Sequence, residues 1–236
     1  MASWVAVLLL VGMGAAAGAP VDPQVVVCFG DSITAGPYPS FLKERLAAQG
    51  LSGMTVANEG IGGNRILHDA EPGSTKYGPA GVKRFGGALE AHPGARAVIV
   101  LEGINDIIHP GVSAPMDESV SAADLVTALK RYIKIAHHHG LRIIGATILP
   151  FEGCCLKSGE DPPPDWAARE SKRQAVNVWI RSSGAFDGMI DFDRLMRDPQ
   201  NPHRLNPAYD SGDHLHPGAD GYHAMADSID LGLLLK

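Results

Sequence analysis

Cysteine is scarce: three residues in 236, two of them adjacent at Cys154-Cys155. None sits in a C-x-x-C pair or in a Cys/His spacing suited to zinc, so a disulfide framework and a structural zinc site are both excluded. Cys28 falls in an apolar run and reads as a small buried hydrophobe. Cys154-Cys155 falls in a loop, where a strained vicinal disulfide and two free thiols are both open. Positive charge is also short, 20 Lys and Arg against 26 Asp and Glu for a net charge of −6. A nucleic-acid partner wants a basic face, so that class is disfavoured, while a neutral or sugar substrate is unaffected. No Walker-type lysine follows a glycine loop. The run Gly60-Ile61-Gly62-Gly63-Asn64-Arg65 breaks the dinucleotide pattern G-x-G-x-x-G at its last position. G-x-S-x-G is missing, which argues against the nucleophile elbow of α/β-hydrolases. No repeat or composition break marks a second domain.

One long apolar stretch is present, at the start. Met1 to Val21 carries no charged side chain, and Val5 to Val11 leads into small residues ending Ala15-Ala16-Ala17-Gly18-Ala19. That shape predicts a secretory signal peptide over 1–19, hence a secreted or periplasmic protein. An uncleaved anchor is the rival, because the segment approaches spanning length. No similar run follows, so the mature chain, 20–236, is expected to be one domain without a membrane span or a lipid-gripping lid. Hydrophobic content of 45% with 19% charged residues suits a globular core.

Beyond the leader, apolar strands alternate with amphipathic helices. Val25 to Phe29, Met54 to Ala57, Ala97 to Leu101, Arg142 to Leu149 and Gly188 to Phe192 read as strands. Helices are expected over Pro39–Gln49 (capped by Ser40), Pro79–Ala91, Ser121–His139, Trp166–Ser182 and Gly218–Leu234. Asn58 to Asn64 reads as a glycine-rich loop, Pro150 to Asp165 as an irregular loop lining a substrate cleft, and Asp193 to Asp213 as another long loop. His137-His138-His139 reads as a solvated helix end rather than a metal site. The alternation predicts a parallel, doubly wound α/β sheet with helices on both faces.

Chemistry gathers at strand ends. After the first strand come Gly30-Asp31-Ser32-Ile33, a tight turn presenting Ser32 as a nucleophile or, more plainly, as a helix N-cap. Near the end of the chain, Asp213 stands three residues before His216. A serine hydroxyl needs a base, and the base needs an acid to fix its tautomer, so Asp213 and His216 form a candidate orienter and base for Ser32. Donors for an oxyanion are available from the backbone N–H groups of Ser32 and Gly63 and from the Asn105 side chain.

These segments resemble a known family. Gly30-Asp31-Ser32-Ile33, Gly63 in its glycine loop, Gly103-Ile104-Asn105-Asp106 and Asp213-His214-Leu215-His216 are similar, in order, to the four blocks of the SGNH (GDSL-type) serine hydrolases. The resemblance implies a flavodoxin-like three-layer α/β/α fold with a five-stranded parallel sheet. It implies Ser32 as nucleophile, Asp213 and His216 completing a Ser-His-Asp triad, and Ser32, Gly63 and Asn105 as the oxyanion hole. Ile33 stands where a leucine gave the GDSL name. Glu102 stands where small residues are common, as a support behind the site or an ion-pair partner. Pro150-Phe151-Glu152-Gly153, Arg173-Gln174-Ala175-Val176-Asn177 and Asp191-Phe192-Asp193 resemble secreted bacterial lipases and acylhydrolases. The expected activity is hydrolysis of short-chain acyl esters, acetylated carbohydrates included, through an acyl-serine and without metal or organic cofactor. Lipase, lysophospholipase and thioesterase activities are alternatives within the family. An acyltransferase and a non-catalytic carbohydrate- or acyl-binding module are alternatives of other classes. Oligomeric state has no signature in the sequence.

Overall fold

Five parallel strands form one sheet in the order β2-β1-β3-β4-β5. They are β1 (Gln24–Gly30), β2 (Met54–Gly60), β3 (Ala95–Leu101), β4 (Arg142–Ala146) and β5 (Gly188–Ile190). The computed structural model describes residues 1, 24–71, 74, 76–155 and 165–235; the rest of the expected leader, 2–19, lies outside the described residues. Val25 to Phe29 and Ala97 to Leu101 are buried throughout, as strands covered on both faces must be. The order is flavodoxin-like, with its switch point between β1 and β3, where such sheets open a crevice at the carboxyl ends of the strands.

Helices complete three layers. On one face α2 (Tyr38–Ala48) packs against β2 and against α8 (Ala219–Ser228). The other face carries α3 (Gly81–Glu90), α5 (Ala122–His138) and α6 (Trp166–Ser182), with α5 touching both neighbours. Three short helices sit at strand ends: α1 (Ser32–Ala35), α4 (Ile104–Ile108) and α7 (Phe192–Met196). Helix α5 turns Leu125, Leu129, Tyr132, Ile133 and Ala136 inward and starts from a capping box between Ser121 and Asp124. Such a cap stabilises a helix by about 1 kcal/mol. Among the described residues no helix is long and apolar enough to cross a membrane.

Local pattern erred at several boundaries. Asn58-Glu59-Gly60, expected as loop, extends β2, because the neighbouring strand supplies partners at Cys28, Phe29 and Gly30. Tertiary pairing here overrides weak strand propensity. Ser40 does not cap α2; Pro37 occupies the cap and its carbonyl accepts from Ser40 N at 2.9 Å. Strand β4 stops at Ala146: Thr147 N still donates to Ile190 O at 3.1 Å, but Ile148 is held by a side chain instead, Asn177 accepting from Ile148 N at 2.7 Å and donating to Ile148 O at 2.8 Å. Strand β5 stops at Ile190, where Asp191 caps α7 by accepting from Arg194 N. Helix α8 ends at Ser228, and Asp230 opens a separate 3-10 turn over Leu231–Leu233 by accepting from Gly232 N.

Beneath β4 and α7 lies a buried ionic cluster. Arg173, with no exposed surface, donates to Glu170 at 2.7 and 2.8 Å, to Asp193 at 2.6 Å and to Ile148 O at 2.9 Å. These bonds clamp α6 to the chain leaving β4. The matching sequence segments therefore hold the frame together.

Candidate active site

The apolar run of β1 is stopped by geometry at Gly30. A Cβ there would stand 2.0 Å from Leu101 O and 2.5 Å from Thr34 Oγ1, so only glycine lets β1 and β3 close up at this end. Asp31 then caps α1, its Oδ1 accepting from Ile33 N at 3.0 Å. Ser32 is therefore not the N-cap but the first helical residue, half-buried. Burial pushes the Asp31 carboxyl up to about 7, against the pull of the Ile33 N–H and the His216 ring.

The turn before α8 brings His216 to this serine. His216 Nε2 lies 2.8 Å from Ser32 Oγ, and His216 Nδ1 lies 2.6 Å from Asp213 Oδ2. Asp213 Oδ1 also accepts from Leu215 N at 2.9 Å and from His216 N at 2.7 Å, so the carboxylate is fixed by the backbone of the histidine it orients. Partial burial works to raise the Asp213 pKa, but these backbone and ring hydrogen bonds outweigh it and hold the group at about 2. The turn is stapled at its base, with Ser211 N donating to His216 O at 3.0 Å and Gly218 N to Tyr209 O at 2.6 Å.

Gly63 belongs to the loop after β2, and Asn105 to the short helix α4 after β3. Gly63 has φ +73°, and a Cβ would meet the Tyr77 ring at 2.0 Å; both conformation and space require glycine. Ile61 N donates to Gly30 O at 3.0 Å, tying this loop to the Ser32 turn. Asn105 is buried in α4, which starts from Gly103 at φ +116°. Its Nδ2 donates to Asn64 O at 2.9 Å, which fixes the amide plane and leaves the second N–H available. Asp106 accepts from Ile66 N at 2.7 Å and Leu67 N at 3.0 Å, anchoring the glycine loop to α4. Burial raises its carboxyl to about 6 despite those bonds. Ser32, His216 and Asp213 are thus in direct contact, and Gly63 and Asn105 are joined through Asn64.

Several supporting groups carry no motif. Arg84 lies on α3, between the matching blocks. It donates to Gly30 O at 2.8 Å, Glu59 O at 2.9 Å and Asn64 Oδ1 at 2.7 Å, with its guanidinium 3.8 Å from the Phe29 ring centroid. One side chain thereby locks the end of β1 to the glycine loop. Glu102 lies behind it, accepting from Tyr132 Oη at 2.8 Å with Arg84 at 3.8 Å; burial raises it to about 8. Glu102 is buried and faces the core, which fits the supporting role expected of it rather than that of a charged ion-pair partner. A second Asp–His pair, Asp210 and His214 at 2.6 Å, shares the Asp213 turn, with His214 at φ +61°. His137 pairs with Asp187 at 3.0 Å on the surface. Among the described residues no group of three or more His, Cys, Asp or Glu is placed to hold a metal.

A family model described as the GDSL-like lipase/acylhydrolase family matches residues 28–224. No curated protein matches the chain. Solved structures of the same fold include a carbohydrate acetylesterase family member from Sinorhizobium meliloti, 18% identical, covering 90% of this chain and 100% of that one at a TM-score of 0.65. An acetyl xylan esterase from Geobacillus stearothermophilus is 18% identical over 89% of this chain and 94% of its own, at 0.63. A GDSL-like lipase from Bacteroides thetaiotaomicron is 18% identical over 91% and 90%, at 0.59.

Proposed function

The chain belongs to the GDSL-like lipase/acylhydrolase family of SGNH hydrolases, and from that premise we propose that it hydrolyses short-chain acyl esters, acetylated carbohydrates among them, through an acyl-serine. The observation carrying this reading is the unbroken line of contacts from Asp213 through His216 to Ser32, at 2.6 and 2.8 Å. In the proposed reaction His216 takes the Ser32 proton as Oγ attacks the ester carbonyl. The N–H groups of Ser32 and Gly63 and the free N–H of Asn105 hold the oxyanion. His216 returns the proton to the departing alcohol, and water then releases the acid by the same route. Asp213, held at about 2, stays ionised throughout at neutral pH and fixes the ring.

One further observation supports a small acyl group. Solved relatives of this fold are named as acetyl xylan and carbohydrate acetylesterases. The net charge of −6 fits an uncharged ester substrate rather than a nucleic acid. We also propose export, supported by the uncharged apolar start of the sequence; N-terminal sequencing of the mature protein tests it.

The activity is tested with p-nitrophenyl esters from acetate to palmitate, native chain beside Ser32→Ala. The reading expects rates highest at acetate or butyrate and lost in the variant. Rates highest at long chains, or unchanged in Ser32→Ala, would overturn it.

A further inference from the structure

Two thiols that the proposed reaction does not use stand beside its groups. Cys154 and Cys155 lie on the turn after β4, both free, with their sulfurs 3.2 Å apart. Cys154 is buried and Cys155 exposed. Gly153 at φ +95° and Cys155 at φ +64° bend the chain so that the second sulfur folds back on the first. A non-glycine residue in that region costs roughly 1–2 kcal/mol, so the juxtaposition is imposed by the surrounding fold. The pair lines the cavity of about 20 Å³ together with Ile108, Phe151, Trp166 and Arg169. This wall adjoins the Asp213–His216 turn: a Cβ on Gly153 would stand 3.2 Å from His214 Cδ2, and the charges of both Asp213 and His216 act on Cys155.

The two thiols are also chemically unequal. The Cys154 S–H donates to the Cys155 sulfur, which lowers Cys155 to about 7 and pushes Cys154 up. One sulfur is exposed and favoured as thiolate by its neighbour's S–H, while that neighbour is buried and keeps its proton within reach. Thiol–disulfide exchange needs that pairing of an attacking and a resolving thiol.

We propose that Cys154-Cys155 is a modifiable dithiol on the wall of the ester-hydrolysing site, with small-molecule disulfides as its reaction partners. The Cys155 thiolate attacks one sulfur of a disulfide RSSR, forming a mixed disulfide and releasing RS⁻. Cys154 then loses its proton, attacks the Cys155 sulfur and expels the second thiolate. The protein gives up two hydrogens as its dithiol becomes a disulfide, and RSSR is reduced to two RSH. Adjacent Cα atoms lie about 3.8 Å apart across a trans peptide, short of the usual 4.4–6.8 Å span, so the bridge is strained and readily reopened by added thiol. Closing it draws Cys155 in, reshapes the cavity and slows ester hydrolysis; this last consequence alone rests on the hydrolase reading.

The test incubates the reduced full chain with oxidised glutathione at neutral pH and reads intact mass, free thiols and p-nitrophenyl acetate hydrolysis. The native chain is expected to lose the mass of two hydrogens. Its thiols should fall from three to one, leaving Cys28, which burial pushes up to about 12 and which reacts only after denaturation. Cys154→Ser should stop at the mixed disulfide, and Cys155→Ser should stay unmodified. Hydrolysis should slow on oxidation and recover with dithiothreitol in the native chain, but stay constant in the double variant Cys154→Ser/Cys155→Ser. An unchanged mass, or a lasting glutathione adduct on the native chain, overturns the dithiol. Closure without a change in rate overturns its coupling to the site. Should the native chain hydrolyse no ester, the hydrolase reading fails while the mass measurements still decide the dithiol.

Discussion

Asn105→Ala separates two tasks of one amide. The Asn105 Nδ2 group carries two hydrogens. One is engaged by Asn64 O at 2.9 Å, and the proposed mechanism gives the other to the oxyanion. Alanine leaves Asn64 O without its donor, an expected loss of about 1–3 kcal/mol in stability. It also removes one transition-state donor, worth about 2.7–4 kcal/mol, or about 10²–10³ in kcat. The effects are separable because domains are stable by about 5–15 kcal/mol, so the variant stays overwhelmingly folded at 25 °C while its rate collapses. Thermal melts followed by circular dichroism give the first number, and saturation kinetics on p-nitrophenyl acetate give the second. Asn105→Asp keeps the shape but turns the donor into an acceptor facing Asn64 O, and should lose both stability and rate. The expected pattern is a fall in kcat with KM little changed, since the interaction strengthens only as charge develops. A folded Asn105→Ala with kcat within about tenfold of the native chain would refute the assignment.

Other substitutions probe the frame. Gly63→Ala must place a Cβ 2.0 Å from Tyr77 Cδ1 at φ +73°, so Tm and kcat should both fall, and Tyr77→Ala in the same chain should recover part of the Tm but not all. Arg84→Met strands three acceptors at about 1–3 kcal/mol each, less than additively, and should lower kcat with KM nearly unchanged; Arg84→Lys should restore part of that kcat. Glu102, raised to about 8, contributes stability that is complete below its unfolded pKa near 4.3 and lost as pH rises through 8. Tm measured against pH for Glu102→Gln should therefore show a shallower decline over that window than the native chain. Asp213→Asn should lower kcat on the order of 10⁴-fold by presenting the wrong tautomer. Its stability deficit should shrink as pH falls from about 4 toward 2, because the depressed Asp213 pKa contributes stability only above that window.

The sheet was legible because buried parallel strands leave continuous β-branched runs: Val25 to Val27 and Ala97 to Leu101 announce β1 and β3 without outside help. The resemblance to four family blocks likewise pointed to Ser32, Asp213 and His216, which lie in contact. What escaped local pattern was set by distant partners. Asn58 to Gly60 became strand because β1 lay alongside, and β4 stopped short because Asn177, on α6, took the hydrogen bonds of Ile148. Arg84 was invisible for the same reason. Nothing within α3 tells that its guanidinium meets Gly30, Glu59 and Asn64, which come from two other strand ends. The adjacent cysteines were conspicuous, but only the turn at Gly153 and Cys155 places their sulfurs together beside Asp213 and His216.

The central claim is that Ser32 is the nucleophile. It is tested most directly by covalent trapping with a small fluorophosphonate, followed by peptide mass analysis. One adduct per chain is expected, on the peptide carrying Ser32, absent in Ser32→Ala and formed far more slowly in His216→Ala. An adduct on another residue, or labelling and ester hydrolysis that persist in Ser32→Ala, would contradict it.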